Sequence, residues 1–335
     1  MVHLNRQITL AARPSGLPKE SDFHLAERPV PVPVEGEILV RNLYLSLDPY
    51  MRGRMSEAKS YAAPVPIGGV MTGEAVGQVI ESNAPHFAEG DVVAAMTGWQ
   101  EYAAVPAGQA RRVDPSLAPV STALGVLGMP GLTAYFGLLE IGRPRPGETV
   151  VVSGGAGAVG GIAGQIARIR GCRAVGIAGS DEKVAYMKGE LGYDAAFNYR
   201  TAPNYRDKLA QLCPHGVDVY FDNVGGEITD AVFRLINDHA RVVVCGQISQ
   251  YNRERPEMGP RLLWTLIVHQ ARIEGFLVYQ FKDRFEEGLR VLAQWLREGR
   301  LKYREQIAHG IETAPRAFIG MLQGENLGKQ LVKLA

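Results

Sequence analysis

Several features that would specialise a chain are scarce here. Its three cysteines, Cys172, Cys213 and Cys245, lie far apart with no CxxC pair, which excludes a disulfide framework and a cysteine-rich zinc site. Charge of one sign is not in excess: 36 basic against 35 acidic residues give +1, so nothing points to nucleic acid or a membrane surface. No apolar run nears the ~18 residues of a membrane span. The opening Met1-Val2-His3-Leu4-Asn5-Arg6-Gln7 has no apolar signal core. The expectation is a cytoplasmic protein. Seven histidines are scattered without a His-x-x-x-His pair, leaving no local tetrahedral set of nitrogen and sulfur ligands. With 46% hydrophobic and 21% charged residues, the chain is neither disordered, collagenous nor a coiled coil.

Glycine is plentiful, with 39 residues in a chain of 335, a length that suits two domains. Up to about Pro130 the pattern is β-rich. Short apolar runs such as Glu37–Val40 and Gly77–Ile80 are parted by Pro and Gly clusters, and Gly90–Ala95 reads as a turn feeding a strand. Nothing in this part alternates with helices, which argues against a parallel sheet there. Beyond Pro130 come five apolar runs: Val150–Val152, Ala174–Ala178, Val217–Phe221, Val242–Cys245 and Ile273–Val278. Stretches of helical period lie between most of them, among them Ala158–Arg170. Phe285, Leu289, Leu292 and Leu296 share one face of a later helix, with Trp295 beside them. This alternation predicts a doubly wound parallel sheet. The expected layout is an α/β domain over residues 130–300, inserted between residues 1–129 and a returning tail, 301–335.

A strand over Glu148–Ser153 runs directly into Gly155-Ala156-Gly157-Ala158-Val159-Gly160, a G-x-G-x-x-G between strand and helix. The first glycine permits the tight turn, the second lets backbone approach a pyrophosphate, and the third lets the helix pack on the strand. Free N–H groups at the helix start favour phosphate. The pattern is weak alone and gains its meaning from this context. The second strand decides which dinucleotide. An NAD site carries an acid about 20 residues after the glycines to hold the ribose hydroxyl, but here the strand ends at Gly179-Ser180. A small residue leaves room for a 2′-phosphate, to which Ser180 and Lys183 can donate. The plainer alternative makes Ser180 an N-cap and Lys183 a surface charge. Asp181 lies past the strand end, where an acid suits a first helical turn. The missing acid favours NADP.

Longer motifs carry a family resemblance. The run from Gly154 to Gly164, Gly179-Ser180-Asp181-Glu182-Lys183, Phe197-Asn198-Tyr199, Phe221-Asp222-Asn223-Val224-Gly225-Gly226 and Cys245-Gly246-Gln247-Ile248-Ser249-Gln250-Tyr251-Asn252 resemble the medium-chain dehydrogenase/reductase superfamily. Leu47-Asp48-Pro49-Tyr50-Met51-Arg52-Gly53-Arg54-Met55 and Gly324-Glu325-Asn326-Leu327-Gly328-Lys329 are similar to its zinc-free branch. That branch holds the leukotriene B4 12-hydroxydehydrogenase/prostaglandin reductases and the alkenal and curcumin double-bond reductases. The resemblance runs nearly end to end. It implies a GroES-like β-rich domain and a Rossmann domain with the active site between them, and an NADPH-dependent reduction of a carbon–carbon double bond conjugated to a carbonyl. It implies that Gly157, Ala158, Val159 and Gly160 hold the pyrophosphate, and that Lys183 and Tyr199 bind the 2′-phosphate. Asn223 then lies near the cofactor. Cys245, Gly246, Gln247, Ile248, Ser249, Phe276, Leu277 and Val278 line its nicotinamide side, and Asn326 reaches it from the tail. Tyr50 and Tyr251 match tyrosines that face substrate, and family members are often dimers. Where zinc-dependent relatives carry Gly-His-Glu, this chain has Met71-Thr72-Gly73-Glu74, without the histidine.

Hydride addition to the β-carbon of an enone leaves negative charge on the carbonyl oxygen, so the protein needs a donor aimed there and a proton source. A tyrosine hydroxyl can be either. Tyr251 follows a strand in a Gly-Gln-Ile-Ser-Gln loop, beyond the carboxyl end where open α/β sheets bind ligands. A tyrosine that only packs at a cleft edge is the plainer reading. Tyr50, after a proline, is open to the role of a turn wedge; Arg52 and Arg54 could attract an anionic substrate tail but read first as solvated charges. A quinone reductase of the same superfamily and a non-catalytic NADPH-binding protein are the alternatives to an enal or enone reductase.

Overall fold

Between Thr149 and Gly275 the chain repeats one construction, a short strand rich in β-branched residues followed in most repeats by a returning helix. The structure is a computed structural model describing residues 4–335. It divides into two compact units, Met1–Gly125 with Glu305–Ala335, and Val126–Arg304.

The second unit holds a six-stranded sheet. Its spatial order is Ala195–Asn198, Arg173–Ala178, Thr149–Ser153, Val217–Asp222, Ile236–Val244, Arg272–Gly275. Every pairing is parallel. Numbered along the chain the order is three, two, one, four, five, six, the doubly wound arrangement with its switch point between Thr149–Ser153 and Val217–Asp222. Thr149–Ser153 is buried at all 5 positions, as a central strand covered on both faces must be. The edge strand Arg272–Gly275 is exposed at all 4. The helix Ala158–Ile169 buries Ile162, Ala163, Ile166 and Ala167. It sits close to its neighbours because Gly164 lacks a side chain: a Cβ there would fall 1.9 Å from the Tyr193 ring.

Two segments depart from the sequence expectation. Ala195–Asn198 is a strand although Ala-Ala-Phe-Asn is too short to show a period; its pairing with Val175–Ala178 makes it one. The run Ile273–Val278 is not one strand. Pairing stops at Gly275 because its only partner, Ile236–Val244, ends there, and Val278–Arg284 turns into a 3₁₀ helix. The helix Phe285–Arg297 buries Leu292 and half-buries Phe285, Leu289 and Leu296.

In the first unit, strand pairs within residues 4–125 are all antiparallel. The one parallel pair joins Glu305–His309 to Lys329–Lys333, with the helix Ala314–Leu322 between them in sequence. Lys329–Lys333 then pairs antiparallel with Glu37–Ser46, so the returning tail is built into this sheet. Its core centres on Trp99, stacked on Phe23 at 5.6 Å and edge-on to Phe318 at 5.5 Å. Among the described residues no helix is long and apolar enough to cross a membrane.

Candidate active site

The glycine turn leaves the sheet at its switch point. Gly154 has φ +62°, which favours glycine. A Cβ at Gly160 would fall 2.2 Å from the Gly154 carbonyl oxygen, so packing alone demands that glycine; one at Gly155 would fall 2.6 Å from Met187 Sδ and require that side chain to shift. Gly157 is different. Its φ is −83°, and a Cβ there would meet a single protein atom, Gly154 O, at 3.3 Å. The space its missing side chain leaves is what a close-lying pyrophosphate would need. Gly157 is also the N-cap of Ala158–Ile169 and supplies no side-chain cap to the N–H groups of the helix start.

The second strand ends at Ala178, and the chain turns through Gly179 and Ser180 into the helix Asp181–Gly189. A Cβ on Gly179 would lie 3.1 Å from the Tyr199 ring, a tight approach that a side chain there would relieve by shifting the ring. Ser180 acts as the N-cap, its hydroxyl accepting from the Lys183 N–H at 3.2 Å. Asp181 is held by the Asn198 amide at 3.0 Å. Burial lowers the Lys183 ammonium pKa, and the neighbouring Arg200 charge lowers it further. Arg200, absent from the sequence expectation, stands 5.9 Å from the centre of the Tyr199 ring. The available signal was its position directly after Tyr199.

Asp222 organises the next strand end. It is fully buried, and its carboxylate accepts from six donors. Oδ1 takes Ser153 Oγ at 3.0 Å, Tyr220 Oη at 2.9 Å, Val224 N at 3.0 Å and Gly225 N at 2.9 Å. Oδ2 takes Thr229 Oγ1 at 2.7 Å and Gln247 Nε2 at 3.2 Å. Its carbonyl accepts from the N–H groups of Cys245 and Gly246. A buried charge is stable only when so satisfied. Asn223 turns its amide onto Ser153 O at 2.8 Å. Burial, then the Asp222 charge, push the Cys245 thiol up to about 12, so it stays protonated. Ser249 Oγ donates to Val224 O at 2.6 Å, and Ile248 N to Asn223 O at 3.3 Å. The loop closes on Tyr251, whose phenol oxygen accepts the Gln247 N–H at 3.3 Å. Phe276 packs its ring where a Cβ on Gly137 would sit, at 2.5 Å. Val278 is buried and Leu277 is 43% exposed.

In the first unit, Tyr50 is half-buried and caps the one-turn helix Met51–Arg54. The chain before it is pinned by Lys329, whose ammonium donates to Leu47 O at 2.7 Å, Asp48 Oδ1 at 3.0 Å and Gln330 O at 3.2 Å. Arg52 and Arg54 are not solvated. Each is 6% exposed. Arg52 donates to Gly16 O at 2.9 Å, while Arg54 donates to Ala62 O at 2.8 Å and lies 5.8 Å from the centre of the Tyr50 ring. Backbone carbonyls claim both side chains, one 36 residues away and one 8 residues away. Asn326 donates to Gly328 O at 2.8 Å and so braces its own turn. Burial raises Glu74 to about 7, opposed by Arg111. Among the described residues no three His, Cys, Asp or Glu side chains cluster to hold a metal ion.

The chain as a whole is similar to known proteins. Residues 6–113 match the family model described as the N-terminal domain of oxidoreductase, and residues 158–294 the one described as zinc-binding dehydrogenase. The NADPH-dependent curcumin reductase of Escherichia coli is 45% identical over 336 residues, covering 99% of this chain and 97% of that one. The NADP(+)-dependent 2-alkenal reductase of Nicotiana tabacum is 42% identical, covering 99% and 98%. The crystal structure of CurA from Vibrio vulnificus in complex with NADPH superposes with a TM-score of 0.94 at 46% identity, covering 98% and 99%. The chain belongs to the medium-chain dehydrogenase/reductase family, in its double-bond reductase branch, and is an oxidoreductase.

Proposed function

We propose that this chain reduces the carbon–carbon double bond of α,β-unsaturated aldehydes and ketones at the expense of NADPH. Relatives named for curcumin and 2-alkenals support the reaction class. The cofactor reading is carried by the uncapped helix start at Gly157, at the sheet's switch point, together with Gly179-Ser180 at the end of the second strand, where an NAD site would carry an acid. The first admits a pyrophosphate. The second offers no carboxylate to select NAD.

NADP(H) would be held by Gly157, Ala158, Val159 and Gly160 at the pyrophosphate and by Lys183, Tyr199 and the Ser180 turn at the 2′-phosphate. When bound, it supplies the hydride for the β-carbon. The remaining work falls to the protein. Asp222 fixes the ends of two adjacent strands and the Gln247 loop, which sets the rim formed by Asn223 and Cys245–Ser249. Tyr251 donates its hydroxyl proton toward the carbonyl oxygen as negative charge develops there. The Gln247 N–H that enters the phenol oxygen strengthens that donor, since bonds in a chain polarise one another. The family resemblance would give Tyr50, on backbone fixed by Lys329, a role toward substrate and Asn326 a role toward the cofactor. In this scheme residues 1–129 and 301–335 form the substrate domain and residues 130–300 the NADP domain.

The same reading includes a cytoplasmic homodimer. The exposed edge strand Arg272–Gly275 follows a short helix with Trp264 58% and Ile267 81% exposed, a surface suited to a second copy. Light scattering on the purified chain tests it. For the activity, the decisive experiment is a panel of enals, enones and quinones with NADPH oxidation followed optically. Turnover of enals or enones ahead of quinones is the expected result; turnover of quinones alone, or of nothing, refutes it.

A further inference from the structure

We propose that Arg200 is a further arm of the 2′-phosphate site and a determinant of the choice of NADPH over NADH, placed there by Asn198. The inference rests on the cofactor reading above and names a residue that neither the glycine motif nor the family resemblance assigns.

Strand register brings the parts together. Asn198 pairs with Ala178, and the Tyr199 N–H donates to Ala178 O at 2.9 Å. The residues following the two strands, Gly179-Ser180 and Tyr199-Arg200, therefore leave the sheet side by side. Tyr199 lies against Gly179, and the Arg200 guanidinium is 5.9 Å from the centre of that ring. Asn198 serves both sides with one amide. Its Oδ1 accepts the Arg200 N–H at 3.0 Å, while its Nδ2 donates to Asp181 Oδ1 at 3.0 Å. The first bond sets the backbone from which Arg200 projects. The second engages the acid that would otherwise face the incoming phosphate.

Charge points the same way. Lys183 feels the positive field of Arg200, and two like charges held close repel each other. A doubly charged phosphate between them turns that cost into attraction, whereas a ribose hydroxyl does not. Guanidinium suits the task because its planar fork presents several N–H groups to phosphate oxygens. Arg200 is exposed, so its contribution should be moderate and screened by salt.

Two probes that differ only in the 2′-phosphate, adenosine 2′,5′-bisphosphate and adenosine 5′-monophosphate, are titrated into the full-length chain by calorimetry, alongside NADPH and NADH. Arg200→Ala should weaken the bisphosphate and NADPH by about threefold to twentyfold and leave the monophosphate and NADH unchanged. Arg200→Lys should fall between wild type and Arg200→Ala, and added salt should shrink the difference. Arg200→Ala affinities that are unchanged, or equally reduced for all four ligands, while Lys183→Ala still discriminates, would overturn the role of Arg200 alone. A wild-type chain that binds the two probes equally would overturn the NADP reading and this inference with it.

Discussion

Removing one oxygen atom from Tyr251 tests the chemistry most directly. Tyr251→Phe keeps the ring and deletes the hydroxyl. In the folded chain that hydroxyl accepts the Gln247 N–H at 3.3 Å, near the long limit for such a bond. Its loss should therefore cost the low end of a neutral hydrogen bond, about 0.5 kcal/mol, and lower Tm by roughly 2 °C or less. Folding and NADPH affinity stay near wild type. The transition state loses a donor to the developing negative charge. Deleting a dominant donor of this kind costs about 10²–10³ in kcat. A loss of roughly tenfold to a hundredfold is expected here, because water can enter and share the role. Initial rates over a series of enones, with NADPH in excess, separate the outcomes. A fall in both kcat and kcat/KM supports the assignment. A raised KM alone makes Tyr251 a binding residue. Unchanged kinetics refute the reasoning and pass the role to Tyr50. Gly246→Ala provides a positional control: the added methyl would sit 3.3 Å from the phenol oxygen, displacing it without removing it, so the loss should be smaller than for Tyr251→Phe.

Lys183→Ala should weaken NADPH by the equivalent of about 1.5–3 kcal/mol and hardly change NADH, as measured by fluorescence titration; equal losses would remove Lys183 from the phosphate site. Asp222→Asn keeps the shape but turns one acceptor oxygen into a donor among six donors, and should cost about 2–4 kcal/mol in urea unfolding. Glu74 sets a pH dependence. Its folded pKa rises from 4.5 to about 7, so the folded chain holds this proton more tightly than the unfolded one. That stabilising contribution is complete below the unfolded pKa and is lost as pH climbs to about 7. Wild type should lose stability over this window relative to Glu74→Gln, by on the order of 2–3 kcal/mol at most, and parallel urea curves at all pH values would refute it. Because the sequence offers no Cys/His ligand set, a chelator should leave activity intact; tightly bound stoichiometric zinc with activity lost on chelation would overturn this.

What could be read in advance was whatever depends on neighbours in sequence. The strand–turn–helix around Gly155–Gly160 is local, so its glycines could be assigned roles before any coordinate. The Ser180 cap was legible for the same reason, since its hydroxyl reaches only to residue 183. Partners outside the local turn or strand were not legible. Arg52 and Arg54 look like solvated charges in a stretch of chain, and only folding brings the carbonyls of Gly16 and Ala62 to them. Ala195–Asn198 has too few residues to declare a strand until Arg173–Ala178 lies beside it. Arg200 needed the same register to become visible beside Gly179.

Asp222 shows why the site is more than the sum of its motifs. Its donors come from residues 153, 220, 224, 225, 229 and 247, so no window of sequence contains them. Two strands end at this carboxylate, at Ser153 and at Asp222 itself, and the loop after a third, Ile236–Val244, reaches it through Gln247. A buried carboxylate without those donors would be untenable, and the donors without the carboxylate would be left unpaired in a dry interior. Each therefore stabilises the other, and the cost of moving any one loop is shared by all. Tyr251 gains from this at second hand. Its oxygen meets the Gln247 N–H, and Gln247 is tied by its side chain to Asp222. Placing a donor to within a few tenths of an ångström is what the chemistry of a developing oxyanion requires. On the proposed role of Tyr251, the rigid sheet would supply that precision through a residue that never needs to touch substrate.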